Sequence, residues 1–231
     1  MTNLPGRTGP GLTSSPLPRW VRRSLWFGLV AVTLYIAGWV IAGQVRTGYS
    51  PTTQAISELF ELGAPWTSRG PLTVGLALSG LAFLVLAPAL HRALPGDGFF
   101  GPVLVVLAGV GTLGVLAAPC TEGCPGFGTT GTDTWHVITA GVGYSALASA
   151  PLAFGWRLRR DWPNLAWWSV TIGALSVALF AIHVAGLIPT ATGLQQRLFN
   201  TVADAWYVLV TIVVLRHGAD RRMDAADRRS S

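Results

Sequence analysis

Between two long apolar runs lies PCTEGCPGFGTTGTDTWH, Pro119 to His136, a glycine-rich stretch that holds both cysteines, Glu122, Asp133 and His136. Its residue types suit two kinds of chemistry. Cys120 and Cys124 can close a small disulfide loop, the first reading if the stretch lies outside the cell, where thiols oxidise. The rival use is a metal site, but Cys-x-x-x-Cys departs from the paired Cys-x-x-Cys of structural zinc sites, and no metal ligand is assigned. Asp133 and His136 are three residues apart, share a helical face and have the types of an acid and a base. The plainer reading is that Thr132 or Asp133 caps the helix that starts there, with His136 at headgroup level beside Trp135.

Two further groups stand inside apolar runs. His183 shares a face with Ser176, Phe180 and Gly186, which aims its imidazole into a bundle. Asp204 belongs to a polar stripe of Arg197, Asn200, Thr201 and Thr211. A charged side chain at the centre of a bilayer costs roughly 2.5 to 3.5 kcal/mol on the insertion scale, so both groups are functional suspects. The connection between their helices is very short, so the two can meet, either as a structural hydrogen bond or as a working pair. The expectation is that Glu58, Asp133, His136, His183 and Asp204 act as catalytic groups. Ser57, Arg197, Trp135 and Trp206 are expected to bind substrate, and Glu58, Asp133, His136, His183, Arg197 and Asp204 to converge in one polar cavity in the outer half of the bilayer.

The elements that must position these groups are helices. The chain has 231 residues, 51% hydrophobic and only 11% charged, with a mean hydropathy of +0.49. That composition predicts an all-α, polytopic membrane protein. A bilayer core of about 30 Å needs about 20 apolar residues per helix. Six stretches qualify: Leu25 to Val45, Pro71 to Leu90, Phe100 to Ala118, Trp135 to Trp156, Leu165 to Ile188 and Leu198 to Leu215. Residues 1–23 read as a disordered tail, 24–216 as the six-helix transmembrane domain and 217–231 as a charged tail. Small residues suited to close helix packing recur at Gly75 and Ser79, at Gly141, Ser145 and Ser149, and at Gly173 and Ser176.

All sixteen basic residues are arginine, and the formal charge of +6 reads as topology signals between apolar runs, not as a nucleic-acid surface. Only Arg46, Arg69 and Arg197 fall on the minority side, so both termini are expected in the cytosol of a multi-pass protein of the cell membrane. The segment between the first two helices contains TTQAISELFELG, which predicts a short amphipathic helix. Ile56, Leu59 and Phe60 form one face, Ser57, Glu58 and Glu61 the other, and the helix lies on the surface or lids the bundle.

At YSPTTQAISELFELGAPW, in the polar loop leading to TDTWH and at QQRLFNTVADAW, the chain resembles the domain-of-unknown-function 998 family. That family comprises six-helix prokaryotic membrane proteins distantly like the FRAG and DRAM type. The likeness covers Leu25 to Arg216 and rests on Ile56, Ser57, Glu58, Leu59 and Gly63 together with the helix count. It implies the fold and carries no activity or cofactor.

Three functions fit. One is an enzyme acting on a lipidic or isoprenoid substrate, with an acid such as Asp204 or Glu58 and a base or metal ligand such as His136 or His183. Ser57, Asp133, His136 and His183 have the types of membrane hydrolases built around zinc, but the paired histidines of a final helix are missing. Trp39, Trp135 or Trp206 could steady a cationic intermediate. The second is a proton-coupled or small-molecule transporter titrating Asp204. The third is a non-catalytic membrane component that binds a partner through its loops. Membrane lipids are partners in each case, and the sequence leaves cofactor and oligomeric state open.

Overall fold

The computed structural model describes residues 17–230, with side chains through Ala219. Its helices are α1 (Arg19–Val45), α2 (Trp66–Ala93), α3 (Phe100–Ala117), α4 (Gly131–Leu158), α5 (Pro163–Val184) and α6 (Thr192–Ser230). Among the described residues there is no strand. Six helices are long and apolar enough to cross a membrane, α6 counted through Ala219 with the turn before it. The protein is therefore an all-α, multi-pass membrane protein.

Each helix packs on its neighbours in sequence, α6 returns to α1, and a minor α4–α6 contact crosses the ring. One end of the bundle carries the long α1–α2 and α3–α4 connections and the α5–α6 turn. The other carries the helix ends nearest the termini and the short 94–99 and 159–162 links, where Arg157 donates to the carbonyls of His91, Leu94, Pro95 and Gly98.

Several boundaries differ from the expectation for local reasons. Pro18 precedes the first turn, and α1 starts at Arg19, so three arginines of the expected tail are helical; residues 1–16 of that tail lie outside the described residues. α5 ends at Val184, four residues early, because Gly186 takes a left-handed φ of 61° and Pro189 follows. A 3₁₀ turn, Pro189–Ala191, then launches α6 six residues ahead of Leu198, and α6 continues past Leu215. The segment expected as an amphipathic helix is a five-residue 3₁₀ helix, Ile56–Phe60, whose Ile56, Leu59 and Phe60 are buried under the loops.

Close approach of backbones sets the packing. A Cβ at Gly111 would strike the backbone of Gly143, and one at Gly75 would meet the Cα of Tyr35 at 2.9 Å. Where lipid removes the hydrophobic drive, such contacts hold helices together. Of the small residues expected to pack, Gly75, Ser79, Gly173 and Ser176 are buried, whereas Gly141 faces open space and Ser145 is exposed. On α4 the packing face is instead Gly143, Ala146, Leu147 and Ala150. The opposite faces carry exposed Val, Leu and Trp side chains that contact lipid.

Candidate functional site

The candidate residues divide among three settings. The first is the α3–α4 loop. Asp133 is buried at the start of α4 and accepts from the Thr121 N–H and hydroxyl, both at 2.8 Å, and from the Thr130 hydroxyl at 2.7 Å. Thr130, not Thr132 or Asp133, is the cap, its hydroxyl accepting from the Asp133 N–H. His136 Nδ1 lies 2.9 Å from the Ala118 carbonyl, at the end of α3, and its ring rests 5.9 Å from that of Phe60. Cys120 and Cys124 form a disulfide with a Cα–Cα distance of 5.0 Å. The Ser57 carbonyl is 3.9 Å from Cys120 Sγ, and Trp135 points outward, 61% exposed.

The second setting joins the α1–α2 connection to its neighbours. Glu58 folds back to accept from the Ala55 N–H at 2.7 Å and from Gln54 at 2.8 Å. Glu61 is buried, ion-paired to Arg46 and accepting from the Gly123 N–H at 2.7 Å, which ties the two long connections together. Arg46 also donates to the Glu58 carbonyl. Arg197, 8% exposed, donates through Nη1 to the carbonyls of Pro51, Gln54 and Gly193 at 2.7 to 3.1 Å and through Nη2 to the Tyr49 hydroxyl. Its guanidinium also stacks over Trp39 and Tyr49, 5.4 and 5.5 Å from the ring centroids. Tyr49 in turn donates to the Ala55 carbonyl at 2.8 Å. Burial pushes its phenol above the ordinary value, the Arg197 bond opposing that shift.

The third setting is internal. A cavity of about 30 Å³ lies between α1, α2, α3, α4 and α6, and its polar lining is Tyr35, Ser79, Thr112, Tyr144, Asn200 and Asp204. Asp204 is 2% exposed, and its Oδ2 has no hydrogen-bond partner. Asn200 donates to the Tyr35 hydroxyl at 3.3 Å. Gln196 donates to the Tyr144 hydroxyl at 3.1 Å and accepts from the Ile56 N–H, so polar contacts run from the cavity to the loops.

His183 does not line this cavity. Its ring packs 5.3 Å from Phe199, its Nδ1 is buried without a partner, and no hydrogen bond or ion pair joins it to Asp204. The helix boundaries explain the separation. His183 is one residue from the end of α5, whereas Asp204 lies twelve residues into α6, about 18 Å along its axis and at the middle of the Pro189–Ala219 span. Trp206 is rotated about 200° from Asp204 on the helix; it is fully buried against Phe154 and donates to the Ser169 hydroxyl at 2.8 Å. Six expected convergent groups thus occupy separate places, and only Asp204 borders the internal cavity. Among the described residues, no three His, Cys, Asp or Glu side chains are grouped to hold a metal.

Comparison with known proteins adds the family. The description "Protein of unknown function (DUF998)" matches residues 29–213, from Leu29 within α1 to Val213 within α6. The chain belongs to the DUF998 family. The match takes in all three settings and all six membrane helices. No curated protein and no solved structure matches the chain.

Sequence reasoning missed Tyr35, Tyr49, Tyr144 and Gln196 as members of these networks. A tyrosine in an apolar run reads as core or belt. Its partner lies on a distant helix, as Asn200 does for Tyr35. Glu61 carried a readable signal, since Arg46 is one of few arginines on the minority side and sits in the same connection.

Proposed function

We propose that this DUF998 protein handles a proton at Asp204, as the coupling group of a membrane carrier for a small polar solute. The observation that supports it is the buried Asp204 Oδ2 without a partner, beside a small, mainly apolar cavity that Tyr35, Tyr144, Ser79, Thr112 and Asn200 also border. A carboxylate at that depth without a counter-charge costs roughly 2.5 to 3.5 kcal/mol on the insertion scale, so the site calls for a proton or a small cationic group. The chain of contacts through Asn200, Tyr35, Tyr144 and Gln196 offers a polar route towards the loops.

The enzyme reading on a lipidic substrate has less support, because Glu58, Asp133 and His136 each hold a loop through their polar atoms. With only Arg46, Arg69 and Arg197 in segments of the loop-rich side and the other thirteen arginines, by their order in the sequence, on the side of the two termini, the proposal places both termini in the cytosol and the protein in the cell membrane.

A hydrophobic carbodiimide tests the reading, since it adds to protonated carboxylic acids in apolar surroundings. Peptide mapping should find the adduct on Asp204 and not on Glu58, Glu61 or Asp133, which accept hydrogen bonds. Proteoliposomes carrying an internal pH dye should show a proton flux that Asp204→Asn abolishes. An unlabelled Asp204, or equal flux from Asp204→Asn, would refute it.

A further inference from the structure

Towards the terminus-bearing end, and sharing no lining residue with the cavity at Asp204, α5 and α6 leave a groove of about 440 Å³. Its walls are apolar: Trp162, Leu165 and Trp168 from the α5 side, Leu209 and Val213 from α6, with His217 at the end. The Trp162 and His217 rings meet 4.9 Å apart, closing that end, while Trp168 is 52% exposed along the open side. The groove faces outward from a membrane-spanning bundle, so its apolar occupant comes from the bilayer.

The charges next to its lining residues in the sequence, Arg160 and Arg216 with one acid, Asp161, between Arg160 and Trp162, bear on which lipid it takes. Arg160 lies two residues before Trp162, and Arg216 immediately precedes His217. Both are exposed, and among the described residues neither makes a hydrogen bond or ion pair. Their neighbours are engaged: Arg157 is spent on four backbone carbonyls, and Arg159 stacks over Trp156 at 3.7 Å. Tryptophans belong at headgroup level, and basic pockets between transmembrane helices take anionic headgroups.

We propose that this groove is a binding site for one anionic phospholipid. An acyl chain lies along Leu165, Trp168, Leu209 and Val213, and the phosphate meets Arg160 and Arg216. The volume falls within the range of small-ligand pockets, about 300 to 1,000 Å³. Guanidinium groups suit the contact because each can offer two parallel donors to phosphate oxygens.

Native mass spectrometry of the full chain, after incubation with equimolar phosphatidylglycerol and phosphatidylcholine, tests the proposal. The wild type should retain one phosphatidylglycerol with a preference of roughly thirtyfold, the scale set by two cations at a headgroup. Arg160→Gln with Arg216→Gln should bring that preference to about one, whereas Arg22→Gln with Arg23→Gln, exposed cations at the same end, should leave it intact. Trp168→Ala should reduce retention of both lipids. Equal retention of the two lipids by the wild type overturns the proposal. So does a preference that survives the Arg160 and Arg216 changes or falls as far with Arg22 and Arg23. Thermal unfolding of each variant separates lost binding from lost fold. If Trp168→Ala unfolds, the exposed arginine pair alone decides the outcome.

Discussion

Arg197 is the side chain whose loss should do most damage at the loop-rich end. Its Nη1 and Nη2 serve three carbonyls and the Tyr49 hydroxyl, joining the first turn of α6 to the α1–α2 connection. Hydrogen bonds to a charged donor contribute about 1.5 to 3 kcal/mol each. Losing both nitrogens therefore costs about 3 kcal/mol at the least, since two sets of acceptors are left. For a domain of this size about 1 kcal/mol moves Tm by roughly 2 to 4 °C, so Arg197→Ala should melt roughly 6 to 12 °C below wild type. Tryptophan fluorescence in detergent reads this directly. Arg197→Lys keeps the charge but not the fork, and should recover only part of the loss. Hydrogen exchange locates the damage: the N–H groups of Gln54, Ile56 and Leu194, which bond to Ser50, Gln196 and Thr52, should exchange faster, while α3 amides should not. If Arg197→Ala melts within about 2 °C of wild type, the guanidinium is not holding the connection. Arg197 would then be free for the substrate role that its residue type first suggested.

Asp133→Ala removes three accepted hydrogen bonds and should cost about 2 to 3 kcal/mol, with faster exchange of the Thr121 amide; an unchanged Tm would restore Asp133 as a candidate catalytic group. Gly111→Ala forces a Cβ into the Gly143 backbone and should cost about 1 to 3 kcal/mol, whereas Gly141→Ala, which meets open space, should be neutral in the same melting assay. The Tyr49 phenol is raised by burial, so its contribution is complete below about pH 10 and is lost as pH climbs towards its folded titration; Tyr49→Phe should therefore show a shallower alkaline fall in Tm than wild type. Reporter fusions at Gly128 and Asp161 should report opposite sides of the membrane, and agreement between them would overturn the proposed orientation.

Helix count and helix type were legible because each membrane span needs about 20 apolar residues in one run, a signal no local feature can imitate. Helix ends were not, and the ends decide the site. Reading Leu198 as the start of α6 put Asp204 about two turns deep, level with His183. The true start at Thr192 lowers Asp204 by a further 9 Å or so and separates the two. Rotation was as consequential as depth. Gly141, Ser145 and Ser149 have the spacing of a packing stripe, yet α4 turns Gly143 and Ala146 inward, because Gly143 allows the contact with Gly111. The polar residues themselves were found correctly as unusual; what sequence lacked was the backbone they serve, since Ala118, Pro51 and Thr121 are partners through main-chain atoms that every residue has.

That same point separates Asp204 from the other acids. Glu58, Glu61 and Asp133 each accept from backbone N–H groups at a loop or helix start, where chain ends leave donors unfilled, so local structure accounts for an acid at those places. Asp204 sits inside a continuous helix, where every backbone N–H is already taken by the carbonyl four residues earlier. It has no loop to hold and no cap to make. An alanine there would satisfy the helix and spare the cost of a polar group at mid-bilayer, so folding alone gives no reason for the carboxyl. The remaining use for an unpartnered oxygen beside a small internal cavity is an exchangeable partner, which is why Asp204→Asn should leave insertion and melting close to wild type while removing whatever proton exchange the protein performs. A large drop in Tm on that substitution would instead make Asp204 a structural residue, and the carrier proposal would fall with it.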